Sequence, residues 1–580
     1  MNGQITHSDA IGIVAVLFWG STITSLVGFL TDRQLHAILR THWKVMIACV
    51  MMVVLWRIPI DGGFFHGTEY EDSYVYTVAG RQMAEHRHIE PNAGVLRYSI
   101  TVCGVGSLAL CQESDSFPEH LIGYPFVISL FSSEFGYRPS IGSIVNIVCA
   151  CLADFIIFVL CMIIADDVTV AASAALIFAI TPVFAVWGLE TSAEPFSNAC
   201  MSLALWWCLR YAFPRPEQRS PWHQFVTWCA FTTILLFSLT VKRENILLII
   251  ALPAIVLLVQ CLDKRSQGFS VRRSLWHVLS AALALMFSLQ MGIFQTVSSE
   301  TALLRAYPPT PSELIRLLPV FSRSFFVLPW YGGAVVLVLI GAVVAWRRKE
   351  LGLFPLLLFV AYLLLYAFHI RSYYEMRSGD TDPRNALRFS MNLMSLWSVL
   401  AGLGTAAFIG WFRRNVRWKY HPLRDRWIAT TIVAVVLGAT YSATSFLRED
   451  VVADEFRMRI APALAAVKIA ASDQTTKSYI LTFEPLIPQM YAGPEADVFN
   501  FEDLSPTVMN EIGFTQNVTA VLYVDEEIHQ TTADADRYAS QLAYFNQFPR
   551  TTLTKTAVSS VVRICLQEGP GGASEKNGEK

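Results

Sequence analysis

Charge is scarce in this chain. Asp, Glu, Lys and Arg supply 16% of its 580 residues, against about a quarter in soluble domains. The shortage falls in runs of roughly 17–25 apolar residues, the length that crosses a bilayer. A soluble globular enzyme is thereby excluded. The formal net charge is −2 and no basic tract occurs, so no nucleic-acid partner is expected. The N-terminus has neither a cationic start nor a small-residue cleavage site before Ile11, so no removable signal peptide is read there. The tail beyond residue 446 has no nucleotide loop, zinc spacing or nucleophile elbow. Nowhere does a His/Asp spacing demand a metal. The expected cofactor is none, with a divalent metal held weakly by carboxylates left open.

Hydrophobic residues make up 54% of the chain. About twelve spans are expected, near residues 10–30, 43–60, 141–164, 168–187, 195–213, 223–240, 244–261, 276–295, 328–346, 351–369, 389–411 and 427–446. Cations set their orientation. Arg33, Arg40 and Lys44, then Arg210, Arg215 and Arg219, then Lys264, Arg265, Arg272 and Arg273 occupy alternate connections. Arg347, Arg348 and Lys349 continue the series, and Arg413, Arg414, Arg417, Lys419, Arg424 and Arg426 end it. All fall on the cytoplasmic side if the N-terminus is outside, and only the Asp166-Asp167 turn there lacks a cation. The loop 61–140, the link 188–194, the loops 296–327 and 370–388 and the tail 447–580 are then outside.

The expected fold is a polytopic α-helical membrane protein with a small C-terminal extracytoplasmic α/β domain. Residues 1–446 form the membrane domain, including the loop 61–140; residues 447–568 form the α/β domain. Within it, 451–471 and 533–545 read as helices and 478–483, 519–524 and 558–566 as strands. Gly, Ser, Glu and Lys make 569–580 a disordered end. In the loop 61–140, Leu121 to Phe131 is interrupted by Pro125 and is too short to span, which fits an interfacial or re-entrant helix. Of the 11 cysteines, most lie in spans as small apolar residues. Cys103 and Cys111, across Gly104 and Gly106, would close a hairpin in an oxidising compartment, a pairing that spacing alone does not decide. Cys565 is expected as a buried thiol.

The candidate chemistry gathers outside. Glu71-Asp72, flanked by Tyr70, Tyr74 and Tyr76, follows the run Trp43 to Ile60 and offers a carboxylate base at the membrane surface. The bland alternative is a helix cap by Asp72 or Ser73. Lys242-Arg243-Glu244-Asn245 sits between two spans with almost no loop, either as a tight hairpin with snorkelling cations or as a phosphate site. Arg371, Arg377, Arg384 and Arg388 crowd the loop 370–388, a composition suited to an anionic lipid headgroup, and Arg305 beside Tyr307 joins them. Trp187 to Pro195 carries Glu190 and Glu194, with Ser192 as a cap and Pro195 as a first helical residue. Glu194 should pair with an outer-face arginine or order the acceptor, with Glu190 and Tyr74 beside it. Asp154 is the main charge in mid-span.

The series resembles the GT-C glycosyltransferases of the protein-O-mannosyltransferase and aminoarabinose-transferase type, the family 39-like group. The acidic pair leads into Tyr-Val-Tyr-Thr-Val-Ala-Gly-Arg81, where that family has an Asp-Glu pair before a similar helix. Gly123-Tyr-Pro-Phe-Val-Ile-Ser-Leu-Phe131 is similar to its Tyr-Pro segment, and Ile180-Thr-Pro182 with Thr191-Ser-Ala-Glu-Pro195 to its Ser-Pro and Ser-Glu-Pro elements. Leu239-Thr-Val-Lys-Arg-Glu244 is similar to its Leu-Thr-Lys stretch, and Arg384-Asn-Ala-Leu-Arg388 to its Arg-Tyr-Leu element. The likeness spans roughly residues 40–446. The pair is Glu-Asp instead of Asp-Glu, and the span 10–30 is an addition.

The resemblance implies a sugar transferase using a polyprenyl-phosphate sugar in the lipid bilayer. Asp72 or Glu71 would deprotonate a hydroxyl of a protein or glycan acceptor as it attacks the anomeric carbon with inversion. Asp72 is the preferred base, although the family's order favours Glu71. Lys242, Arg243, Arg384, Arg388 and Arg305 would meet the lipid phosphate. The expected place is the bacterial inner (plasma) membrane, active site and C-terminus extracytoplasmic. The alternatives are a transporter or flippase and a non-catalytic scaffold for lipid-linked envelope glycans.

Overall fold

A computed structural model describes residues 7–60, 71–86, 121–189, 191–213, 220–262, 271–290, 331–348, 351–367, 391–415 and 435–446. In the tail it describes 461–472, 479–482, 497–500, 506–511, 520–526, 539–555 and 559–566, with isolated positions between. The helices of the first four hundred residues run in chain order α1 (His7–Thr31), α2 (Arg33–Ile60), α3 (Glu71–His86), α4 (Gly123–Phe135), α5 (Ile141–Ala165), α6 (Val168–Ile180) and α7 (Pro182–Trp187). Then come α8 (Ala193–Ala212), α9 (Pro221–Val241), α10 (Ile246–Leu262), α11 (Val271–Gln290), α12 (Ala334–Arg348), α13 (Leu353–Ala367) and α14 (Met394–Asn415). The tail adds α15 (Ala461–Ser472), α16 (Pro506–Glu511) and α17 (Ala539–Phe545). Two compact units divide the chain: Met1–His66, Leu121–Val127 and Gly142–Arg448 form one, and Gly67–His120, Ile128–Ile141 and Glu449–Lys580 the other.

The first unit is a helical bundle. Six of its described helices are long and apolar enough to cross a membrane, and four shorter apolar ones accompany them. The chain is an integral membrane protein. Local chemistry explains where the helices start and stop. Asp166, at a φ of +51°, turns the chain after α5, and Asp167 caps α6 by accepting from the Thr169 N–H at 2.7 Å. The expected span 168–187 is broken at Thr181-Pro182, because proline brings no N–H and takes the first position of α7. The helix α2 begins ten residues before the expected 43: Asp32 caps it by accepting from Gln34 N (2.9 Å) and Leu35 N (3.0 Å).

The added first span is built into the bundle. Phe29 of α1 stacks on Trp206 of α8 at 4.4 Å, and Trp207 Nε1 donates to Ser25 Oγ at 3.1 Å. Thr24 meets Thr233 of α9 at 3.1 Å. At the other end of α1, the cap Asp32 receives the Nε of buried Arg210 from α8 at 2.7 Å, and Gln34 accepts from the same guanidinium.

Close helix approach uses small residues, as expected where lipid supplies no hydrophobic drive. A Cβ at Gly341 of α12 would overlap Leu400 O of α14, and one at Gly404 would overlap Leu337 O in return. A Cβ at Gly402 would lie 2.6 Å from Val170 O of α6. Gly341→Leu should therefore cost about 1–3 kcal/mol or more through forced separation. Gly410 has nothing within 4 Å, so Gly410→Ala should leave stability unchanged. Thermal unfolding in detergent compares the two; equal midpoints would refute the close crossing.

The second unit contains a five-stranded mixed sheet of β1 (Tyr479–Thr482), β2 (Asp497–Asn500), β3 (Ala520–Glu526), β4 (Arg550–Lys555) and β5 (Ser559–Cys565), in the order β2-β1-β3-β5-β4. β1 pairs parallel with β2 and β3, and β5 pairs antiparallel with β3 and β4. Ile480, Val498, Leu522 and Val561 form its core with Ala466 of α15. Strands β1, β3 and β5 match the sequence reading. β4 was not legible because Arg-Thr-Thr-Leu-Thr-Lys is an exposed edge without apolar alternation. Cys565, the last residue of β5, is half-buried and free, not fully buried. Cys103 and Cys111 lie outside the described residues.

Candidate active site

The site of the first unit is built where α8 begins and α9 ends. Ser192 is the residue before α8, though its side chain makes no cap bond, and the helix opens with Ala193-Glu194-Pro195. Pro195 is thus third, not first. Glu194 in the first turn complements the helix dipole. Its Oε1 accepts from Lys242 Nζ at 2.7 Å, and Glu244 stands 3.8 Å from the same ammonium. Both partners of the closer pair are buried, with side chains 8% and 10% exposed. Glu194 has a cationic partner, as the sequence required, but a lysine takes the place of the expected arginine. Lys242 does not snorkel.

The hairpin reading of Lys242-Arg243-Glu244-Asn245 holds: Lys242 closes α9 and Arg243–Asn245 form a 3₁₀ turn into α10. Asn245 fixes that turn. Its Nδ2 donates to Ser238 O and Ser197 Oγ, each at 2.9 Å, and its Oδ1 accepts from Tyr362 OH at 3.2 Å. One side chain thereby joins α8, α9 and α13 to the turn that carries the charges. Glu194, Glu244, Lys242 and Arg243 carry two formal charges of each sign, so this corner is neutral as a set. Arg243 is half-buried in the same turn.

A second strut lies beside it. Tyr124 OH of α4 donates to Asn146 Oδ1 of α5 at 3.0 Å, and Asn146 Nδ2 donates to Ser192 O at 3.2 Å. Glycines let the parts close: a Cβ at Gly123 would lie 2.5 Å from Thr240 Oγ1, and one at Gly142 would lie 2.5 Å from Thr191 Oγ1. Sequence reasoning passed over Asn146, Ser197 and Tyr362, whose signal was a single polar group in an apolar run. It also passed over Arg57. This guanidinium is fully buried and donates to Ala179 O (3.3 Å) and Phe184 O (3.2 Å), on either side of the α6–α7 break. Asp154 is fully buried on α5 with neither carboxylate oxygen hydrogen-bonded.

In the second unit, Glu71 and Asp72 are the first two residues of α3. The helix therefore starts before either Asp72 or Ser73 could cap it, and both carboxyl-bearing residues stand in its first turn, where the dipole favours negative charge. The side chains of Glu71, Asp72 and Tyr74 lie outside the described residues, as do Glu190, Arg305, Arg384 and Arg388. Ser73 is fully buried with its hydroxyl unpartnered, and Thr77 Oγ1 donates to Ser73 O at 2.8 Å. Among the described residues, no group of three or more His, Cys, Asp or Glu side chains is placed to hold a metal ion.

No family model matches the sequence, and no curated protein matches it. Solved structures do match in fold. ArnT from Cupriavidus metallidurans bound to undecaprenyl phosphate superposes with a TM-score of 0.55 at 14% identity, over 90% of this chain and 98% of that one. Its apo state gives 0.54 with the same identity and coverage. The archaeal oligosaccharyltransferase AglB from Archaeoglobus fulgidus, in complex with an inhibitory peptide and a dolichol-phosphate, gives 0.50 at 11% identity over 90% of this chain and 74% of that one. The chain shares its fold with these two proteins.

Proposed function

We propose that this chain is a membrane glycosyltransferase of GT-C type, moving a sugar with inversion from a polyprenyl phosphate to an acceptor hydroxyl outside the membrane. The observation that carries it is the shared fold with ArnT bound to undecaprenyl phosphate over nearly the whole of both chains. The placement of Glu71-Asp72 at the N-terminus of α3 supports it. In this reading twelve spans place the N-terminus, the acidic pair and the tail outside a bacterial inner membrane. Asp72 takes the acceptor proton, with Glu71 holding the acceptor or a cation, and Glu190, Glu194 and Tyr74 order the acceptor side. Arg243, Arg384, Arg388 and Arg305 meet the donor phosphate, and Lys242 acts mainly by holding Glu194.

The test uses purified protein in lipid vesicles with a panel of undecaprenyl-phosphate hexoses and pentoses and an envelope extract as acceptor. Transfer of label supports the transferase. Equilibration of labelled donor across the vesicle without transfer identifies a flippase, and binding without either identifies a scaffold. Arg384→Ala or Arg388→Ala should lose a charge-assisted contact of about 2 kcal/mol, roughly a thirtyfold weaker affinity for undecaprenyl phosphate. Parent-like binding by both variants would show the phosphate site to be elsewhere.

A further inference from the structure

The helix that begins with the acidic pair belongs to the same compact unit as the C-terminal tail. It is short, 16 residues, and too polar to be a span, yet Val75, Tyr76, Thr77, Val78, Ala79 and Met83 are all buried. What buries it is protein. Val75 and Val78, one turn apart on one face, form a single apolar cluster with Ala463 of α15 and Met490, and Leu464 and Tyr491 pack on its margin. A turn further along, the Arg81 guanidinium lies 4.4 Å over the ring of Tyr137. The Tyr137 hydroxyl then donates to Met490 O at 2.8 Å. The segment after α4, the tail and α3 are thus joined by apolar contact, stacking and a hydrogen bond, from parts nearly four hundred residues apart in sequence.

Resting on the transferase reading above, we infer that the tail is a positioning element for the catalytic helix: Val75, Val78 and Arg81 are gripped by Tyr137, Ala463 and Met490, so that the acidic pair keeps one place and direction. A helix of this length is marginal alone in water. The carboxylates stand in its first turn. Burying the next two turns against the tail holds the backbone behind them. Reacting groups tolerate displacements of well under 1 Å, and remote misplacement costs up to about a hundredfold in rate. Tail residues of this kind act on turnover through α3, not on the donor.

Two measurements on the full-length protein in vesicles test it. Cysteine pairs made from Val75→Cys or Val78→Cys with Ala463→Cys or Met490→Cys are oxidised, and the linked peptides are identified by mass spectrometry. At least one pair should link, and the linked protein should transfer sugar within about twofold of its reduced form. No linkage in any pair overturns the inference whatever the activity. So does a linked form that loses transfer and regains it on reduction, because α3 would then have to leave the tail to work. In the second measurement, Tyr137→Phe, Arg81→Gln and Val78→Ala should each lower turnover about tenfold or more, with undecaprenyl phosphate affinity and unfolding midpoint close to the parent. Lys at position 81 should restore less than Arg, because stacking as well as charge is needed. Parent-like turnover in all three variants overturns the positioning role. If the cross-link forms but even the parent transfers nothing, the transferase reading fails and the positioning role fails with it, while the contact stands.

Discussion

Asp72→Asn is expected to lower sugar transfer by roughly two to four powers of ten, the usual worth of a positioned general base. Asn keeps the size and the hydrogen-bonding capacity of the side chain and removes its basicity. In the proposed reading cations bind the donor, so its affinity should be almost unchanged, and the loss should appear in turnover alone. Glu71→Gln should cost less, because its proposed task is to hold the acceptor. The two residues stand on consecutive positions of the first turn of α3, about 100° of helix rotation apart, so they are not equivalent by position. Transfer rates and undecaprenyl phosphate binding, measured on both variants beside the parent, decide the matter. A dead Glu71→Gln with a working Asp72→Asn would exchange the roles. Two fully active variants would remove catalysis from this pair.

The second large effect lies at the Glu194–Lys242 contact. Lys242→Met should destabilise the protein by about 3–5 kcal/mol, since it strands a buried carboxylate. The pair itself is worth far less than that, because burying two charges nearly cancels what their attraction returns. Lys242→Met combined with Glu194→Gln should accordingly recover most of the loss, although two residues have changed instead of one. Unfolding in mixed micelles, titrated with SDS, gives the cycle. Additive losses would mean that the two side chains stabilise the bundle independently. Activity separates the roles further: Arg243→Ala should fold normally and weaken undecaprenyl phosphate binding, whereas the Lys242 variant should show its defect first in folding.

Much of the first unit could be read from the chain because a bilayer tolerates few solutions. Apolar length fixes spans, but the break that Pro182 sets between α6 and α7 fell inside the single expected span 168–187. The hairpin at Lys242 was plain, as four polar residues between two apolar runs leave room only for a tight turn. That Lys242 would meet Glu194 was not, since nothing in the sequence distinguishes it from the other outer-face cations. The Asn245 junction was hidden for a related reason: Ser197 Oγ, the Ser238 carbonyl and Tyr362 OH come from three helices, and no local pattern links them. In the tail, β3 and β5 showed as short apolar runs, whereas β4 hydrogen-bonds along an exposed edge and has no such run. The partnership of α3 with Ala463 and Met490 left no trace, because no local rule connects residues that far apart.

The contact of Asp32 with Arg210 has a consequence for how the protein is made. Its two residues are 178 positions apart, and translation adds roughly 5–20 residues per second. The hairpin of α1 and α2 therefore enters the membrane on the order of ten seconds or more before its counter-ion exists. During that interval the Asp32 carboxylate, which caps α2, has to stay at the lipid–water boundary. Only when α8 arrives can the first two helices draw in and exclude water from that end. A ribosome stalled shortly before residue 210 should hold a chain whose first hairpin is inserted yet still open to water-borne reagents near residue 32, and one stalled well beyond should hold it closed.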